Sequence, residues 1–157
     1  MAFADDLLKD AYHLAHRGGK KPTQASLRRA VSNGYYALFH MLISEFVAKW
    51  RTPSQRTTLA RIFLHGRMKN VSKRIADTNV RNPTTAESEL RQVADAFVRL
   101  QQNRHAADYD NGQIWTRVDV VTELDLVTDT FKRWRGIRDE PTAQDYLMAM
   151  LEPRQSG

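Results

Sequence analysis

The stretch from Thr23 to Trp50 constrains this chain more than any other. Its residues Leu27, Val31, Tyr35, Leu38, Leu42 and Phe46 recur with the 3.6-residue period of an α-helix. From Gly34 onward a second apolar stripe joins them at Ala37, Met41 and Ile43. A helix that is apolar on most sides must be surrounded by other elements, so it belongs at the centre of a bundle. Gly34 costs such a helix stability unless a neighbour packs against the bare backbone, so it marks a close helix crossing. Thr23 or Pro22 stands near the cap.

The other segments carry the same period. A helix is expected from about Asp5 to Arg17, with Phe3, Leu7, Ala11, Leu14 and Ala15 on one face and Gly18-Gly19 as its stop. A third runs from about Ser54 to Leu64. His65-Gly66-Arg67 either breaks it or bends it into a continuation through Ala76. The fourth is capped by Thr85, with Glu87 and Glu89 near its positive end, and Asn111-Gly112 ends it. Thr116 caps the fifth, with Asp119 in a capping-box position; Val118, Val121, Leu124, Val127, Phe131 and Trp134 form its apolar set and Gly136 closes it. Pro141 to Leu151 makes a last short helix with proline in its first turn. No segment alternates with period two for long enough to make a strand. The fold class is therefore all-α, an up-down bundle of four to five helices with a short C-terminal helix. Residues 1–153 form a single domain and residues 154–157 a loose tail.

Composition narrows the function. At 157 residues the chain can bury a real core. It has no cysteine, which excludes disulfides, Cys-based zinc sites and a cysteine nucleophile and suits a reducing cytoplasm. No signal peptide and no membrane span is expected, since Tyr35 to Val47, the densest apolar run, is interrupted by His40, Ser44 and Glu45. Lys and Arg number 24 against 18 Asp and Glu, a net charge of +6 and a pI near 9.8, which favours polyanionic partners such as nucleic acid. No Gly-rich phosphate loop, no acidic cluster for two magnesium ions and no strand-to-helix serine elbow is present, so no cofactor and no metal is expected.

The fourth helix holds the local inconsistency. Its apolar stripe, Leu90, Val93, Ala94 and Phe97, continues by the same steps onto Gln101, Arg104 and Asp108. A core-facing stripe that turns polar is either a salt-bridged helix end, Asp108 standing four residues after Arg104, or a functional site. Other candidates are weaker. His13 and His16 are read as a surface pair rather than metal ligands. His40 is a core histidine or a support for the site. Tyr35 packs, while Tyr36 is placed to hydrogen-bond across helices. His65 stands at a helix end, where its cationic form is favourable. Arg61, Arg67, Lys69, Lys73 and Arg74, and then Lys132, Arg133, Arg135 and Arg138, are solvated helix faces or, if they flank Arg104, a phosphate-tracking groove.

Three segments together resemble the HEPN family of small helical domains. They are Arg28-Arg29-Ala30-Val31-Ser32-Asn33-Gly34-Tyr35-Tyr36-Ala37-Leu38-Phe39-His40, then Phe63-Leu64-His65-Gly66, then Arg104-His105-Ala106-Ala107-Asp108-Tyr109-Asp110. They stand in the family's order and span about Thr23 to Arg138. The resemblance implies a helical domain that dimerises. It implies either a metal-independent endoribonuclease with an Arg-x(4–6)-His motif, in some members the toxin partnered by a nucleotidyltransferase antitoxin, or a non-catalytic module that binds a nucleotide or a protein. Arg99 and His105 match the Arg-to-His spacing with five residues between them. Instead of an Arg-Asn pair followed by His-x-Tyr, this chain has Asn103 before Arg104 and Tyr109 four residues after His105.

Metal-free RNA cleavage needs an acid, a base and a cation on the phosphate. Histidine titrates in the right range and arginine offers a fork matched to phosphate. Arg99, Arg104 and His105 are therefore the expected catalytic residues, with Asn103, Asp108, Tyr109, Tyr36 and His40 in support. On a straight helix Arg99 and His105 lie roughly 120° apart, so Arg99 needs a bend or a second subunit to reach the site.

Overall fold

The computed structural model describes residues 2–60 and 65–151. Every regular element in them is helical: α1 (Ala2–His16), α2 (Gln24–Val47), α3 (Pro53–Ala60), α4 (His65–Asp77), α5 (Thr85–Tyr109), α6 (Arg117–Ile137) and α7 (Pro141–Ala149). The chain is an all-α helical bundle. Its described helices number seven, against the four or five plus one expected. The difference arises in the middle, where α3 and α4 are described on either side of residues 61–64. The expected end of the third helix at Leu64 lies outside the described residues, as do Arg61 and Phe63.

α2 is the hub. It packs against α1, α5 and α6, while α4 and α7 reach the bundle mainly through α5. Its length is divided between two core clusters. Tyr35, Leu38, Phe39, Leu42 and Phe46 join Phe97, Phe131 and Trp134 in one. Leu27, Ala30 and Val31 meet Ala11, Ala15, Ala107, Trp115 and Leu124 in the other. The bare backbone of Gly34 is where α6 crosses: a Cβ there would lie 2.7 Å from Leu124 Cδ2.

Several boundaries move by a residue or more. Thr84, not Thr85, caps α5, in a reciprocal capping box with Glu87; Thr116 and Asp119 form the same device on α6. Gly136 does not close α6, which continues to Ile137 because that side chain is buried in the core. α1 starts at Ala2 and ends at His16, since Gly18 and Gly19 leave helical space with φ of 87° and 57°. α2 ends at Val47 rather than Trp50; Lys49 and Trp50 donate instead three residues back, to Phe46 and Val47. α7 ends at Ala149 rather than Leu151, closed by Met150. Val118, expected in the apolar set of α6, is 75% exposed at the first turn of that helix.

The end of α5 is held by α2. Arg28 donates from Nη1 to the carbonyl of Ala107 at 2.8 Å and from Nη2 to the carbonyl of Gln113 at 2.5 Å. Those are carbonyls that the helix end and the following turn leave without backbone partners. Gln24 grips the next residues by the main chain of Trp115, donating to its oxygen at 2.7 Å and accepting from its nitrogen at 2.9 Å. No helix among the described residues is long and apolar enough to cross a membrane.

Candidate functional site

The polar continuation of the α5 stripe does face inward. Gln101 is 9% exposed, and the Arg104 side chain 16%. The Arg104 guanidinium lies 5.2 Å from the ring centroid of Tyr35 and 5.8 Å from that of Tyr36. A guanidinium is weakly hydrated for a cation and stacks well on aromatic faces, which makes this burial tolerable. Asp108, one turn on, stands 3.6 Å away as an ion-pair partner. The salt-bridged helix end and the inward-facing cluster are therefore one and the same arrangement.

His65 completes it. It is the first residue of α4, its ring stacked on Phe39 at 4.0 Å between centroids and 17° between planes. The Tyr35 hydroxyl lies 2.6 Å from His65 Nδ1. Tyr35 is wholly buried and has His65 as its one side-chain hydrogen-bond partner among the described residues. Were the hydroxyl to accept, its own proton would be stranded in the core, at a cost the donating arrangement avoids. Tyr35 therefore donates to Nδ1, and the neutral ring of His65 carries its proton on Nε2. Burial lowers the pKa of His65, and the charges of Arg104 and His40 add to the effect. Burial also raises the pKa of Tyr35 above that of ordinary phenols.

Gln101 ties α5 to this corner by donating to the His65 carbonyl at 3.4 Å. Its Oε1 and the Nε of Arg104 are buried with no hydrogen-bond partner. His40 sits at the rim, its ring edge-on to Phe3 at 4.8 Å and to Phe39 at 5.2 Å, and burial lowers its pKa too. Tyr36 is half-buried, 5.3 Å from Tyr35 and 5.7 Å from His65 between ring centroids.

The structure thus joins residues from all three motif segments: Tyr35, Tyr36, Phe39 and His40 from α2, His65 from α4, Arg104 and Asp108 from α5. It does not bring Arg99 or His105 into that group. Arg99 turns to α6, where Nη2 donates to Glu123 Oε1 at 3.5 Å, and stays 58% exposed. His105 faces solvent with its ring 4.9 Å from Tyr109, and the two edge a shallow depression with Gln102, Ala106 and Asp110. α5 is one continuous helix through this region, so no bend returns Arg99 to His105. Asn103 is half-buried with no side-chain hydrogen bond among the described residues.

Two roles change. Tyr35, expected only to pack, makes the hydrogen bond that was expected of Tyr36. His65, expected as a cation at a helix end, has its pKa lowered by burial and accepts from Tyr35 instead. Gln101 shows no signal beyond its place on the stripe.

Three members of the basic sets are tied to other groups of the chain. Arg133 pairs with Asp129 at 2.7 Å and Glu89 at 2.8 Å, Arg138 pairs with Glu45 at 3.0 Å, and Arg67 donates to the carbonyl of Ala149 at 2.8 Å. His13 and His16 are an exposed pair, and no group of three or more metal-ligating side chains occurs among the described residues.

The chemical character of the cluster follows from its atoms. Arg104 can only donate, and the free nitrogen of neutral His65 is Nε2–H, also a donor. With Nδ1 occupied by Tyr35, His65 has no lone pair left to act as a base. Such a corner suits an oxyanion better than proton abstraction. Comparison with protein-family models, curated proteins and solved structures returns no match.

Proposed function

We propose that this chain is a HEPN-like helical domain that recognises a phosphate-bearing partner, an RNA or a nucleotide, at the Arg104–His65 cluster without cutting it. The observation that carries this reading is the placement of the two strongest donors. Arg104 is sunk between Tyr35 and Tyr36 with its Nε unpartnered, and His65 is held neutral with its free N–H uncommitted. Tyr36 and His40 at the rim offer ring faces to a base or sugar. The net charge of +6 draws in polyanions in general.

A second reading keeps the metal-independent endoribonuclease. It is favoured by the exposure of His105 beside Tyr109, where RNA could reach it. In that reading Arg99 of a second copy must complete the site, and a nucleotidyltransferase antitoxin is the natural partner of such a toxin.

One experiment separates the two. Purified protein is mixed with labelled RNA, and separately with labelled nucleotide, in EDTA; binding is followed by anisotropy and RNA length on a gel. The binding reading expects intact RNA and about tenfold weaker binding by Arg104→Gln. It expects parent-like binding by Arg99→Ala and His105→Ala. RNA cleavage lost in His105→Ala would establish the nuclease instead, and no binding of either probe by the parent protein would reject the first reading.

A further inference from the structure

A cavity of about 300 Å³ lies between the end of α4, the loop that follows it, the first two turns of α5 and the start of α7. That volume is at the small end of what ligand pockets hold. Ile75, Val80, Pro83 and Leu90 supply its apolar wall. Leu90 is buried in the main core cluster, so this wall is backed by the core of the bundle. Val80 is 41% exposed, an apolar side chain on the open side of the cavity.

Two opposite charges line the same cavity and do not pair. Glu87 and Arg91 stand four residues apart on α5, with the carboxylate on the N-terminal side. That is the favoured spacing and order for an ion pair along a helix. Neither forms an ion pair among the described residues. Each is held instead by a main-chain group. Glu87 Oε1 accepts from the Thr84 N–H at 3.3 Å in the capping box. Arg91 Nε donates at 2.9 Å to the carbonyl of Ala76, in the last turn of α4. These are the only side-chain hydrogen bonds of either residue among the described residues, so Glu87 Oε2 and both terminal nitrogens of Arg91 stay uncommitted. An acceptor and a donor fork are thus fixed apart beside one apolar wall.

We propose that this cavity binds a free aliphatic α-amino acid. The ammonium meets Glu87, the carboxylate meets the fork of Arg91, and the side chain lies on Ile75, Val80, Pro83 and Leu90. An amino acid carries both charges on one carbon, so it bridges two fixed opposite charges that do not reach each other. A fatty acid or an apolar amine satisfies one of them and leaves the other beside apolar surface without a counter-charge. A phosphate satisfies Arg91 and is repelled by Glu87. The site shares no residue with the Arg104 cluster, so it goes beyond the reading of that cluster and stands or falls separately from it.

The test uses the full chain with L-valine, L-leucine and L-methionine in turn as probes, followed by amide NMR. Saturable shifts at Val80, Glu87, Ser88 and Arg91 are expected with at least one of the three. The counterparts of the tightest binder that lack its ammonium or its carboxylate should each bind at least about tenfold more weakly. Glu87→Gln keeps the capping box, which glutamine also forms, and removes the charge. It should bind the amino acid at least about tenfold more weakly while binding the deaminated acid no less tightly than the parent does. A merely structural effect would weaken both. No saturable shift with any of the three amino acids, parent-like amino-acid binding by Glu87→Gln, or equal binding of the deaminated acid by the parent protein would overturn the proposal.

Discussion

Replacing Tyr35 by phenylalanine tests the central hydrogen bond of the cluster with little change in volume. The ring remains wholly buried against Phe97 and Phe39, so packing is kept. What is lost is the 2.6 Å bond to His65 Nδ1, which leaves a buried acceptor unpartnered. An orphaned neutral group of this kind costs about 1–3 kcal/mol. Taking about 2 kcal/mol, and a urea m-value of about 2 kcal/mol per molar, the unfolding midpoint should fall by about 1 M. Urea unfolding at pH 7.5 measures this directly. The same samples report the tautomer through long-range ¹H–¹⁵N couplings of the imidazole: the parent should show His65 protonated on Nε2, and the variant a mixture. An unchanged midpoint, or a parent ring protonated on Nδ1, would refute both the direction of the bond and the donor character assigned to the site.

Two further outcomes are expected. Gly34→Ala should destabilise by about 1 kcal/mol net, because overpacking against the wholly buried Leu124 costs about 1–3 kcal/mol and outweighs a helix-propensity gain of about 1 kcal/mol; a rise in melting temperature would contradict the close crossing. Stability should also fall on mild acidification. His40 and His65 both titrate lower in the folded chain than the ordinary value near 6.5, so between those values the unfolded chain binds more protons. Their contribution is complete above about pH 6.5 and is lost as pH falls toward the folded values, so urea midpoints at pH 7.5, 6.5 and 5.5 should decline in order, and less steeply in His65→Leu, where only His40 still contributes.

The bundle was legible because its signals are local. The two stripes of α2, the capping residues Thr116 and Asp119, and the Asn111-Gly112 stop each act within a few residues. Gly34 was legible too, since a glycine inside a strongly apolar helix has few other uses. The inward turn of Gln101 and Arg104 could be read from the period of one helix. What could not be read was which partner each side chain meets across helices. Arg99 matches a sequence spacing, yet Glu123, twenty-four residues away on α6, decides where it points. Tyr35 and Tyr36 are adjacent and chemically alike, and only the arrival of α4 thirty residues on makes one of them the donor. The ion pairs of the basic residues were hidden for the same reason: Glu45, Glu89 and Asp129 lie far away in sequence or one turn along, and composition does not pair them with Arg138 and Arg133.

The grip of Arg28 and Gln24 on the end of α5 has a consequence for how this surface can change. Both side chains hold main-chain atoms of Ala107, Gln113 and Trp115. The main-chain groups they hold are common to nearly every residue type, so these bonds do not depend on the exposed side chains between the buried Ala107 and Trp115. Tyr109 and Ile114, 67% and 76% exposed, are free of any duty to the fold. Substitution at those two positions can redraw what this end of the molecule recognises while its backbone stays where α2 has put it.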